Sequence, residues 1–69
     1  MNGELPMNMV QVIGDGIDVT TNMSDWDLDD FRAAVADKSR CGELVTLKDT
    51  FEHEHSFRLG DVKSINVLM

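Results

Sequence analysis

One stretch, "NMSDWDLDDFRAAVADKSRCG" (residues 22–42), carries helical periodicity, and the ordered chain on both sides of it alternates with period two. A single amphipathic helix bracketed by strands limits the chain to a sheet with one helix laid on it, because each needs the other's apolar face. Ser24 is an N-cap residue, and Asp27 stands three positions on, where it can reach back as in a capping box. Asp25, Asp27, Asp29 and Asp30 complement the positive end of the dipole, and Lys38 and Arg40 complement the negative end. Leu28, Phe31 and Val35 recur on one side among alanines, and Gly42 can take the left-handed terminating conformation. The helix is predicted over about residues 25–40.

Ahead of the helix, "MVQVIGDGIDVTT" (residues 9–21) reads as a hairpin. Asp15-Gly16 suits a two-residue type I′ turn, which sets Gly14 opposite Ile17 and Val12 opposite Val19, with the valines on one face. After the helix, strands are predicted near 43–49, 51–59 and 63–68, forming a meander. In the middle strand Phe51, His53, His55, Phe57 and Leu59 share a face turned toward the body of the protein, and Glu52, Glu54, Ser56 and Arg58 share the other. In the last strand Ile65, Val67 and Met69 share a face. A tight Gly60-Asp61 loop would set Ile65 on the wrong side of Phe57, so a three-residue Gly60-Asp61-Val62 connection is expected, bringing Phe57 beside Ile65. The fold class is therefore α+β in the order ββαβββ. Its sheet is antiparallel, open or strongly bent toward a barrel, with one helix on one face. Residues 1–8 form a loose lead-in and residues 9–69 a single domain, whose firmest core positions are Phe31, Val35, Phe57 and Ile65.

A core drawn from 69 residues only just outweighs chain entropy, and burial between copies is a common remedy. Self-association is the default expectation. With Cys41 as the only cysteine, no internal disulfide can form, which points to a reducing cytoplasm. Cys41 itself, at a helix C-terminus, sits where the dipole disfavours a thiolate. The N-terminus lacks the basic and apolar regions of a signal peptide, and no apolar run approaches the ~20 residues of a membrane span. Thirteen acids against six scattered bases, a net charge of −7, argue against direct nucleic-acid binding and for a basic protein partner or no charged partner at all. Small acidic chains of this type are common among bacterial and phage reading frames.

Two features could carry chemistry. His53 and His55, two apart on a strand, would point both imidazoles the same way, as in several zinc and iron sites. A third ligand is needed, and Cys41, Asp49 and Asp61 are candidates without diagnostic spacing. The plainer expectation is a pair of semi-buried, hydrogen-bonded imidazoles, and a pocket for a small molecule or anion is a further alternative. The second feature is the acidic run Asp25, Asp27, Asp29 and Asp30 with Trp26 among it, a candidate partner-binding surface or a decoy for the basic groove of an enzyme. Acids in first helical turns are also ordinary dipole complements. Trp26 is expected in the core, with an interface role, alongside Met7, Met9 and Met23, as the alternative.

An EF-hand is excluded, since Asp30 and Ala36 stand where glycine and glutamate belong. "IGDG" lacks the lysine and following helix of a phosphate loop. With no tyrosine and no triad-like spacing, a non-enzymatic interaction module without a cofactor is the expected function.

Overall fold

A computed structural model describes residues 7–68. Residues 1–6 of the lead-in expected over residues 1–8, and the place of Met69 beside Ile65 and Val67, lie outside the described residues. The elements follow the predicted order ββαβββ: β1 (Met7–Gly14), β2 (Ile17–Ser24), α1 (Asp25–Ala36), β3 (Leu44–Lys48), β4 (Glu54–Arg58) and β5 (Val62–Val67). The strand β1 thus begins two residues before its expected start.

The first hairpin has the expected register, with Gly14 opposite Ile17 and Val12 opposite Val19. Its turn is not type I′, because only Gly16 is left-handed (φ 70°) and Asp15 is not. Tertiary structure explains this. The Asp15 N–H donates to the Asp61 carbonyl at 3.1 Å. Gly14 lies so near the same carbonyl that a Cβ there would stand 2.0 Å from the oxygen.

The helix begins as predicted, with Ser24 Oγ accepting from the Asp27 N–H at 3.1 Å. It ends four residues early. Asp37 accepts from the N–H and hydroxyl of Ser39 (3.0 and 2.7 Å), offering the backbone a local alternative to another helical turn. That bond with Ser39 also holds the Asp37 carboxyl below its usual range. Lys38–Arg40 form a separate 3-10 turn, and Gly42 does not adopt the left-handed conformation expected of it.

The larger departure concerns the last three strands, which do not form a meander. β3 pairs only with β4, and β5 crosses to pair antiparallel with β1, giving one sheet in the order β2-β1-β5 and a second of β3-β4. A 3-10 turn at Leu59–Asp61 makes the crossing, anchored by the Leu59 N–H on the Glu43 carbonyl (3.0 Å) and the Gly60 N–H on the Cys41 carbonyl (2.8 Å). The parity conflict between Phe57 and Ile65 is thus resolved by a change of sheet. Ile65 and Val67 instead pair with Val12 and Val10. The sheets are not closed into a barrel.

Helix α1 lays Leu28, Phe31 and Ala34 on the face that carries Val10, Val12, Ile17, Val19 and Met23, and Phe57, Leu59 and Val62 complete the core. Phe31 and Phe57 meet edge to face, with centroids 6.4 Å apart, and so join the helix to the second sheet. Val35 and Ile65, expected in the core, are partly buried against it. Trp26 is not in the core, being 76% exposed near the start of α1.

Candidate functional site

The β2 strand runs straight into α1, with Ser24 ending one and capping the other. This continuity places Asp27, Asp30, Phe31 and Ala34, neighbours at helical spacing, along one side of a cleft whose other side is β3. The cleft has a volume of about 460 Å³, within the range of ligand sites. Met23, Phe31, Ala34, Val45, Leu47 and Leu59 supply its apolar lining. Thr21, Asn22, Thr46 and Lys48 border it, with Arg40 at the rim.

One end of the cleft is pinned. Thr21 Oγ1 donates to the Lys48 carbonyl at 2.6 Å, and the Thr50 N–H donates to the Thr20 carbonyl at 3.0 Å. The Arg40 guanidinium is engaged by Glu43 through two hydrogen bonds of 2.6 and 3.0 Å. These bonds lower the Glu43 carboxyl and raise Arg40 from their ordinary pKa values. Asp27 and Asp30 on the helix side, like Lys48 on β3, form no ion pair among the described residues. The acid wall of the cleft is therefore available to an incoming cation.

Of the candidate partner-binding residues, the cleft gathers only Asp27 and Asp30. Asp25 accepts from Asn8 Nδ2 at 2.8 Å, and Asp25, Trp26 and Asp29 are exposed outside the lining. Thr21, Asn22, Thr46 and Lys48 were not legible as site residues, because only the approach of β2 to β3 brings them together. The run of free-edge residues on each strand carries no signal in sequence.

His53 lies in the turn between β3 and β4, and His55 lies in β4 opposite Leu47. Asp49 organises that turn: Oδ1 accepts from the N–H groups of Phe51 (2.8 Å) and His53 (2.9 Å), and Oδ2 accepts from His55 Nε2 at 2.7 Å. The bond from His55, followed by that from the His53 backbone, holds the Asp49 carboxyl down at about 2. His53 does not face the body of the protein as the alternation implied. Its side chain is 78% exposed, with Nδ1 at 3.9 Å from Asp49, while His55 is half-buried. Thr50, Phe51 and Glu52 instead form a loop closed by the Asp49 N–H on the His53 carbonyl (2.9 Å), with Glu52 left-handed (φ 68°), so β4 begins only at Glu54 and Phe51, within the loop, is 79% exposed. Among the described residues, no three His, Cys, Asp or Glu side chains converge to hold a metal ion. Cys41 is exposed. No helix among the described residues is long and apolar enough to cross a membrane.

Compared with protein-family models, curated proteins and solved structures, the chain matches none.

Proposed function

We propose that this chain is a small, acidic, non-enzymatic protein-interaction module that holds a basic partner in the cleft between α1 and β3. The observation that carries the reading is the cleft itself: an apolar lining beside two carboxylates, Asp27 and Asp30, that have no counter-ion among the described residues. Apolar contact supplies affinity, and the acids select for charge and steer encounter. A net charge of −7 extends that selection over long range, and the basic groove of an enzyme is one partner surface of suitable chemistry. The lone exposed thiol of Cys41 suits a reducing cytoplasm.

The reading is tested with a capped synthetic peptide alternating valine and lysine. Binding is expected to weaken with added salt and to fall about tenfold in Asp27→Asn/Asp30→Asn, roughly 1.4 kcal/mol. Unchanged affinity in that variant, with its helicity intact by circular dichroism, would contradict the reading.

A second observation favours self-association alongside partner binding. Met7, Trp26, Leu44, Phe51, Val67 and Leu68 are all large apolar residues exposed to solvent. Sedimentation equilibrium should find a dimer or larger species, and a clean monomer at high concentration would remove self-association from the account.

A further inference from the structure

The cleft runs between two strand edges. Its lining includes three consecutive residues of β2 (Thr21, Asn22, Met23) and four of β3 (Val45, Thr46, Leu47, Lys48). Alternating side chains of a strand point to opposite faces, so a cavity touched by every residue of a run lies along the strand's edge rather than over one face. Both are edge strands: β2 closes one end of the order β2-β1-β5, and β3 pairs only with β4.

Hydrogen bonds fix which backbone groups those edges present. In an antiparallel ladder alternate residues bond to the partner, and the others turn their N–H and C=O outward. Asp49 N–H donates to the His53 carbonyl and Leu59 N–H to the Glu43 carbonyl, so the odd-numbered residues of β3 are the ones joined to β4. Leu44, Thr46 and Lys48 therefore face away from β4, consistent with the Lys48 carbonyl accepting from Thr21 Oγ1. On β2, the Thr20 carbonyl accepts from Thr50 N–H, so Thr20 and Asn22 face away from β1. Beyond the pinned end, the backbones of Asn22 and Thr46 both turn into the cleft, and among the described residues no backbone bond takes up those groups.

We infer that the cleft receives an extended segment of a partner protein as an added strand, bonded to the open backbone edge at Thr46 of β3 and Asn22 of β2. Its apolar side chains rest on Phe31, Ala34 and Leu47, and a lysine or arginine meets Asp27 and Asp30. Strand addition satisfies open edge groups and gives affinity that does not depend on sequence, while the alternate side chains give selectivity. Charge selects the occupant. Residues 1–6, "MNGELP", contain Glu4 and no lysine or arginine, so the chain's own N-terminal segment lacks the basic side chain that Asp27 and Asp30 call for. This inference rests on the proposed binding function and adds to it the mode of binding.

The test uses the alternating valine–lysine peptide in two forms, one unmodified and one N-methylated on alternate backbone amides. N-methylation leaves side chains and charges in place and removes strand donors. The unmodified peptide is expected to slow amide exchange at Asn22 and Thr46 and leave Ile65 and Val67 unchanged. The methylated peptide is expected to bind at least about tenfold more weakly. Equal binding of the two peptides, both sensitive to Asp27→Asn/Asp30→Asn, would overturn strand addition while leaving the acidic cleft as the binding site. Protection at Ile65 and Val67 would also overturn it, because those residues present the opposite open edge, on β5, whose even-numbered residues bond to β1 as Leu68 N–H does to the Met9 carbonyl. Loss of all binding by both peptides would overturn the inference together with the function it rests on. Unmodified-peptide binding that emerges only when residues 1–6 are deleted would make that segment the occupant and contradict a partner strand.

Discussion

Asp49 ties the β3–β4 connection together, its two carboxylate oxygens accepting from the amides of Phe51 and His53 and from the ring of His55 on β4. Its carboxyl is held at about 2 against an ordinary 3.8, so the sign of its pH dependence follows directly. A depressed carboxyl adds stability that is fully present above the unfolded value and is lost as pH falls through the folded one. The turn amides of Phe51 and His53 are therefore expected to lose protection between about pH 4 and pH 2, with carbon-detected NMR placing the Asp49 titration near the lower value. Among apolar residues, Phe57→Ala should cost on the order of 3–5 kcal/mol in urea unfolding, since its ring is buried against Phe31. Gly14→Ala should cost about 1–3 kcal/mol, because the new Cβ meets the backbone carbonyl of Asp61 and not a side chain that can move. The role of Phe57 was legible in sequence from its place in a period-two run. The role of Asp49 was not, because its bonds to the Phe51 and His53 amides and to His55 on β4 depend on a turn in which Glu52 adopts a left-handed conformation.

At the scale of elements, local signals proved sufficient where the structure is local. Ser24 and the acids after it start α1 as their chemistry requires, and Ser24→Ala should cost about 1 kcal/mol, read from the thermal midpoint. Glu52 pays a conformational penalty at φ 68° that glycine would not, so Glu52→Gly should stabilise the protein by roughly 0.5–1 kcal/mol. A fall in stability would mean that the Glu52 side chain makes contacts that outweigh the strain. The end of α1 and the partner of β5 were beyond local reading. Asp37 competes for the backbone only because it finds Ser39, and β5 leaves β4 for β1, where Ile65 pairs with Val12 and packs against the core. Hydrophobic parity exposed a conflict at Gly60, but parity alone cannot choose between a longer hairpin and a change of sheet.

For the whole molecule, the division into two sheets is what creates the cleft. A continuous meander would have left no gap between β2 and β3, and the acids of α1 would have been an exposed stripe rather than one wall of a cavity. Composition anticipated the sign of the partner's charge, but the site depends on contacts between residues far apart in the chain, such as Thr21 with Lys48. The most direct measurement is a nitrogen-15 amide map of the full chain titrated with the valine–lysine peptide. The account predicts shifts concentrated at Asn22, Met23, Asp27, Asp30, Thr46 and Leu47, diminishing with salt. Shifts centred instead on Ile13, Ser64 and Lys63, or none at saturating peptide, would contradict it.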